Sequence, residues 1–369
     1  MTAAKVARVE TLAYRMPFST FLRSGLQMHV KQAENVLVRL TCDDGTTGVA
    51  EANAFAELFG ESQASIQAAI AEWIVPRIRG IALTDVERLW QQLDIVANNN
   101  SAKAAIDMAV QEALAKRAGL PLWRHLGGFR DRVKLTWIIG QGSIEEMVEE
   151  GQEAKARGFA SFKIKIGLDP RKDVKAVAKL REALGDDTHL YVDANQAYSF
   201  ADAVRYLPAM EDEGITLVED PMPNADTAGR ASLARRLKVP LLGDECVRTP
   251  QEMMGEIELG ALRAFNVKPP RSGYTQTKKI LALAEQAGLA AMMGTMLETD
   301  IGVLGAAHFA AAHRVFATYP AELTYFLKMK DRLLSAPLAV KDGVLVLPDG
   351  PGLGIEIDED KIKRYRVEA

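Results

Sequence analysis

A run of carboxylates and lysines recurs along the middle of the chain in a pattern that could hold a divalent cation and move protons. Lys163 and Lys165 lie in FKIKIG (162–167), Asp193 in YVDANQ (191–196), Glu219 in LVEDP (217–221), Asp244 in LLGDE (241–245) and Lys268 in FNVKPP (265–270). From Lys165 onward, the steps between Asp193, Glu219, Asp244 and Lys268 are 28, 26, 25 and 24 residues. One strand, one helix and two loops occupy roughly 25–30 residues, so a charged group closes an apolar strand once per βα unit. In a parallel β/α barrel every strand opens its C-terminal end on one face, where active sites lie. The spacing predicts that the carboxylates converge there between the lysines.

Converging carboxylates repel one another unless a cation neutralises them. An all-oxygen ligand set favours Mg2+ or Mn2+, and the lack of His or Cys beside it argues against zinc. The alternative is that strand-end acids merely cap the helices that follow. Asn195 and Glu245 are candidates to hydrogen-bond the ligands, and Asp220 reads as a turn residue before Pro221. Side chains alternate along a strand, so Lys163 and Lys165 share the inner face while Ile164 and Ile166 face outer helices. Neighbouring ammonium groups near a dication lower each other's pKa and bring an amine into general-base range. Lys268 would approach from the opposite side.

Around this core the chain of 369 residues is long enough for about two domains. Residues 5–14 and 35–41 alternate as strands do, and CDDGTTG (42–48) supplies a turn. Residues 62–126 carry helical periodicity, with Thr84 and Ser101 as expected N-caps and Gly119 before Pro121 as a stop. The first 125 or so residues thus read as an α+β domain. Helices are expected at about 143–157, 170–184, 199–213, 226–237, 250–258, 272–287 and 299–312, alternating with about eight short strands that include Leu289–Gly294 and the stretch 317–323. The tail, rich in Gly/Pro turns, turns back to β character and is expected to return to the first domain. The expected boundaries are 1–128, 129–335 and 336–369. A net charge of −4 gives no basic footprint for nucleic acid or anionic membrane. The two distant cysteines suggest no disulfide framework, and no apolar run is long enough for a membrane span. A cytoplasmic location is expected.

KxK, DxN, the Glu of VEDP, DE and the later Lys together resemble the muconate lactonizing enzyme subgroup of the enolase superfamily. SAKAAIDMAVQEALAKRAGLPLWRHLGG before the barrel, GTMLETDIGVLGAAH after strand seven and PGLGIEIDED near the end extend the resemblance over essentially the whole chain. The resemblance implies an α/β fold, a (β/α)7β barrel with an α+β capping domain. It implies Asp193, Glu219 and Asp244 as Mg2+ ligands, Lys165 and Lys268 as acid/base groups on opposite faces of the substrate, and Lys163 as the group that tunes Lys165. The implied substrate is a small carboxylate bound to the metal, carried through an enolate. Mandelate-racemase-type relatives carry a catalytic His after strand seven; GTMLETD has none, and His308 and His313 read as packing residues.

Within the subgroup, muconate cycloisomerisation is the first expectation. TWIIGQGS, GTMLETDIG and Ala321-Glu322-Leu323 resemble that group, whereas dipeptide epimerases place Asp-x-Asp at strand eight. Epimerisation of dipeptides or N-acylamino acids, with o-succinylbenzoate synthesis beside it, is the alternative, and a non-catalytic metal-binding scaffold the remote one. TYFLKMK (324–330) departs from the muconate pattern, and Gly273-Tyr274 replaces a Gly-Gly, which would set an aromatic near the mouth. Ser19–Lys31 is expected to cover the site with Arg23, His29 and Lys31, a cationic lid suited to an acid with a distal carboxylate. Glu51–Ser62 is the expected second specificity loop, and Glu298 and Glu322 are further candidates to touch substrate. A homo-oligomer is expected from the family.

Overall fold

The structure, a computed structural model, describes residues 3–23 and 29–368. The chain opens with an antiparallel meander of β1 (Val6–Arg23), β2 (His29–Cys42) and β3 (Thr47–Asn53). Most of the segment expected as a covering loop is strand instead: β1 and β2 stay paired as far as Arg23 and His29, with a register irregularity between Pro17 and Leu22. Continued pairing satisfies backbone groups that a loose lid would leave to water. Helices then pack against the sheet, the longest being Asn100–Arg117. Its N-cap is Asn99, not Ser101, which lies within the helix, buried, with its N–H and hydroxyl donated to Glu61. Likewise Asp85 rather than Thr84 precedes Val86–Leu93. The stop at Gly119 is as expected, the helix ending at Arg117 and Gly119 adopting φ 65°.

After β4 (Arg132–Lys134) come the barrel strands, β5 (Trp137–Ile139), β6 (Ser161–Lys165), β7 (His189–Asp193), β8 (Val218–Glu219), β9 (Leu241–Gly243), β10 (Leu262–Val267) and β11 (Ala290–Met293). They form one parallel sheet in sequential order, each followed by a helix. The eighth position is a single bridge rather than a strand. Ala321 exchanges backbone bonds with Lys134 and Thr136, and the Glu322 N–H donates to the Met293 carbonyl at 2.8 Å, which joins the two ends of the sheet. The fold is therefore a (β/α)7β barrel with an N-terminal cap. Tyr191, Leu217, Leu242, Ala264 and Met292 fill its interior as a separate small core. Ile164 and Ile166 are fully buried among the outer residues, as alternation requires.

The tail, expected to return to the first domain, pairs with β4 before it does so. β12 (Ala339–Lys341) and β13 (Val344–Val346) form a hairpin that adds to β4. Further on, Gly352 bonds with Leu120 and Leu122, and the Val367 N–H reaches the Ala13 carbonyl of β1. Among the described residues no helix is long and apolar enough to cross a membrane.

Candidate active site

Register places the chemistry. In the parallel pairing, Lys165 sits beside Asp193 and Asp193 beside Glu219, each at the last residue of its strand. Asp244 and Lys268 follow one residue after β9 and β10. The helices after β6 to β9 are capped by Asp169, Ser199, Asp226 and Thr249, whose side chains accept first-turn N–H groups. Capping is thus done by other residues, and the strand-end acids are left for the barrel mouth.

The lysines flank the carboxylates in barrel order. Lys165 Nζ donates to Asp193 Oδ2 at 2.6 Å and to Asn195 Oδ1 at 2.8 Å. Lys268 Nζ donates to Asp244 Oδ2 on the other side. Lys163 lies deeper, 2.8 Å from both Asp193 and Glu219 and 3.0 Å from Glu322. Burial opposes charge on Lys163, but those carboxylates outweigh it and hold its pKa well above the usual amine range. Burial also opposes charge on Lys165, and Lys163 repels it, yet Asp193 prevails and raises its pKa too. The lowering expected of the lysine pKa values applies to a pair beside a dication; with Asp193 paired to Lys165 as here, Lys165 is held charged. Glu219, the middle carboxylate, is pushed the opposite way. Burial, then repulsion from Asp193 and Glu322, raises its pKa well above normal despite Lys163.

Among the described residues no His, Cys, Asp and Glu side chains converge on a ready metal position, because Asp193 and Asp244 are turned to the lysines. The donor set nonetheless fits a hard cation. Glu219 Oε2 and Asp244 Oδ1 are buried without a hydrogen-bond partner, although Arg271 Nη1 stands 3.0 Å from the latter with poor hydrogen-bond geometry. Buried carboxylate oxygens of this kind need a cation or donor.

Asn195 is in contact with Lys165, while Glu245 lines the cleft with Oε2 unpartnered. Asp220 is more than a turn residue. At φ 32° it is buried and accepts the N–H groups of Asp244 and Glu245 at 3.1 and 3.0 Å, fixing the end of β9. Glu322 lines the cleft, but its Oε1 is taken by Lys163, by Tyr191 at 2.7 Å and by Asn266 at 3.3 Å. Glu298 is fully buried and clamps the Thr295 hydroxyl and the Met296 N–H through Oε2. Lys31 is exposed on β2. Arg23 and His29 face each other in the β1–β2 pairing, and their side chains lie outside the described ones. Tyr274 is not at the mouth: it is buried, stacks on Phe309 and donates its hydroxyl to the Gly305 carbonyl. Its aromatic bulk finds packing partners between helices, which the motif comparison did not anticipate.

The cleft above these groups is small, with a volume of about 70 Å3. Residues missed by sequence reasoning complete it. Phe55, Leu58 and Phe59, within the expected second loop, form an apolar wall, and Tyr325 and Leu297 add to it. Arg271, buried three residues after Lys268, had a signal only in that spacing. Gly294 makes room for Lys268: a Cβ there would lie 2.6 Å from Lys268 Cε. Gly294→Ala is expected to displace the ammonium group and lower kcat/KM by about 10–100-fold, since roughly 1 Å of misplacement can cost that much. Unchanged steady-state kinetics in a folded variant would refute the packing argument.

Family models match both parts of the chain. Residues 4–127 match the mandelate racemase/muconate lactonizing enzyme N-terminal domain, and residues 146–361 the enolase C-terminal domain-like family. The chain belongs to the enolase superfamily. Within it the muconate lactonizing enzyme subgroup is supported by two curated relatives. Muconate cycloisomerase 1 of Rhodococcus opacus is 33% identical, covering 89% of this chain and 90% of the relative. L-Ala-D/L-Glu epimerase of Bacillus subtilis is 32% identical, covering 95% and 96%. A solved muconate lactonizing enzyme of M. smegmatis in complex with muconolactone superposes with a TM-score of 0.95 at 35% identity, covering 99% of this chain and all of that one. The protein is an isomerase of the superfamily, and enzymes of the superfamily use a divalent metal.

The cap is fastened to the active-site face by a buried carboxylate. Glu51 of β3 accepts from Tyr14 at 2.6 Å, Asn35 at 2.9 Å and the Thr299 N–H at 2.9 Å, and also from the Thr299 hydroxyl. Burial pushes its pKa up to about 7, against the Thr299 and Tyr14 bonds that favour the ionised form. A carboxyl raised in the folded state contributes stability that is full below its unfolded pKa near 4.5 and lost as pH rises through about 7. The loss across that window is about 3 kcal/mol at 1.36 kcal/mol per unit. Urea unfolding at pH 5 and pH 8 should show this fall in the wild type and a flatter profile in Glu51→Gln; parallel profiles would show that Glu51 stays ionised throughout.

Proposed function

We propose that the protein is an Mg2+-dependent enzyme that forms an enolate from a small carboxylate, with cycloisomerisation of cis,cis-muconate or a related acid as its reaction. The observation that carries the reading is the flanking of Asp193, Glu219 and Asp244 by Lys165 and Lys268, with Lys165, Asp244 and Lys268 lining one cleft and Asp193 and Glu219 buried beneath it. Asp193, Glu219 and Asp244 would hold the cation, with Mn2+ as a possible substitute, and Asp220 and Asn195 would keep the ligand ends in place. When bound, the cation supplies Lewis-acid stabilisation of the negative charge that develops on the substrate carboxylate. Lys165 and Lys268 then act from the two flanks of the bound acid, one holding or delivering a proton at the α-carbon and the other neutralising charge on the opposite face. Lys163, locked among three carboxylates, stays charged and steers Lys165.

A dipeptide reading is weakened by Glu322, whose Oε1 is already occupied and gives a substrate ammonium little to bind. Epimerisation of N-acylated amino acids remains as a second reading, favoured by the apolar wall of Phe55, Leu58 and Phe59, since an acyl group needs no charged anchor. The deciding experiment follows loss of the diene absorbance of cis,cis-muconate with Mg2+, using Lys165→Ala as control. Rapid loss that the variant abolishes supports cycloisomerisation. No loss, with metal binding shown by calorimetry, sinks that substrate and directs the assay to α-proton exchange in D2O.

A further inference from the structure

A second cavity lies where the cap meets the barrel, and its walls are cationic. Its volume is about 230 Å3. The cap contributes Trp90, Asp94 and Lys103, and the barrel contributes Arg248 and Arg271. Among the described residues that line it, three carry positive charge and one, the exposed Asp94, carries negative charge. None of these side chains lines the active-site cleft.

The cations are only partly used. Arg271 is 3% exposed and stands beside Asp244 through Nη1, yet its Nε is buried with no acceptor. Arg248 gives Nη2 to Glu252 at 2.8 Å, and its Nε is likewise buried without an acceptor. Lys103 donates to the Val96 carbonyl at 3.1 Å, one bond of the three that an ammonium group can make. Burial lowers its pKa, with Asp94 and Glu61 opposing, so an anion beside it would favour the charged form. The walls are held in place: Trp90 Nε1 donates to Asp107 at 2.8 Å, and the Ser272 hydroxyl donates to the Arg248 carbonyl at 2.6 Å. The helix Pro250–Leu259 also begins at this cavity, which adds the positive end of its dipole. Buried guanidinium N–H groups without acceptors are costly. An oxyanion is the chemistry that satisfies guanidinium groups, an ammonium group and a helix N-terminus together. Three lining cations less one carboxylate leave a surplus of two, and a phosphate group carries about two negative charges near pH 7.

We propose that this cavity is a binding site for a phosphate group, which bridges Lys103 of the cap to Arg248 and Arg271 of the barrel and so ties the two parts together. The site is independent of the reaction and of the acid that the cleft takes. Its test is calorimetric titration of the intact enzyme with inorganic phosphate, glycerol 3-phosphate and acetate, each with and without Mg2+. One phosphate per chain is expected to bind with a Kd of about 1 mM or tighter, and acetate at least about tenfold more weakly. Saturating phosphate should raise the melting temperature by a few degrees. Arg248→Gln and Lys103→Gln should each weaken phosphate about tenfold, the worth of a charged hydrogen bond, whereas Lys165→Ala should leave it within about twofold. Arg248 is partly exposed, so Arg248→Gln is expected to fold normally and decides the matter should Lys103→Gln not fold. Tighter binding of the glycerol ester would assign the site to a phosphorylated metabolite, and tighter binding of inorganic phosphate to the free ion; both support it. The proposal is overturned by no saturable phosphate binding, by acetate binding as tightly, by binding that requires Mg2+, or by affinity unchanged in Arg248→Gln. Loss of binding in Lys165→Ala would also overturn it, because the anion would then sit at the barrel mouth. Any of these results, with muconate turnover intact, leaves the proposed reaction standing.

Discussion

Lys165→Ala and Lys268→Ala are each expected to lower kcat/KM by about 10²–10⁴-fold, the usual worth of a positioned acid or base. The structure adds a signature that simple unfolding would not give. Removing Lys165 leaves Asp193 with Lys163 at 2.8 Å, and removing Lys268 leaves Asp244 with Arg271 at 3.0 Å. Neither carboxylate is abandoned, so both variants should fold and bind metal. Each loses an ammonium group that competes with the cation for carboxylate oxygen, so metal affinity should hold or rise while turnover collapses. If the lysines serve opposite faces, exchange of a substrate α-proton should become stereospecific. Each variant would then exchange only the enantiomer that presents its proton to the remaining lysine. Equal residual exchange of both enantiomers in both variants would place the lysines on one face and undo the assignment.

The parts of the site that follow from periodicity were legible in the sequence. Lys165, Asp193 and Glu219 end consecutive strands, and parallel pairing in register brings such residues side by side with no further information. The helices between them, such as Pro170–Leu184 and Phe200–Asp212, were legible for the same reason, being amphipathic and bounded by capping residues. What was not legible depends on contacts between distant segments. Asp220 looks like a turn residue until β9 is placed beside β8 and its carboxylate meets the Asp244 and Glu245 N–H groups. Tyr274 looks like a mouth residue until Phe309 and Gly305 are placed against it. The pKa of Lys165 could be argued in either direction from composition alone, since the sign depends on whether burial and Lys163 together, or Asp193, have the larger effect.

Two cap carboxylates show how the parts cooperate. Glu51 receives the Thr299 N–H after β11, and Asp107 of the long cap helix receives the Thr275 N–H at 3.0 Å and hydroxyl at 2.6 Å after β10. Each therefore fixes a barrel loop next to a residue of the site, Leu297 in the cleft lining in one case and Arg271, buried beside Asp244, in the other. A site assembled this way derives its precision from rigid strand ends and its shape from the cap. Substitutions in the cap are accordingly expected to change which acid is taken more than how fast a bound acid reacts.

Glu219→Gln should produce the reverse of the lysine signature. Glu219 is the central carboxylate: Oε1 accepts from Lys163 at 2.8 Å and Asn266 at 2.9 Å, while Oε2 is buried without a partner. An amide preserves the shape but removes the charge that a hard cation requires. Loss of hydrogen bonds around metal ligands alone costs about 10–100-fold in affinity, so loss of a ligand charge should cost at least about 100-fold. Without metal the variant should be no less stable than the wild type, because the substitution relieves repulsion from Asp193 and Glu322 that raises the Glu219 pKa. With metal the difference should be plain. A ligand at about 1,000 times its Kd stabilises the fold by about 4 kcal/mol, and a hundredfold weaker site forfeits about 2.7 kcal/mol of that. Thermal unfolding with and without Mg2+ therefore separates the two roles: the lysine variants keep the metal-induced rise in melting temperature, and Glu219→Gln loses most of it. A Glu219→Gln protein that keeps the full rise would exclude Glu219 as a ligand and leave Lys163 and Asn266 as the whole account of its burial.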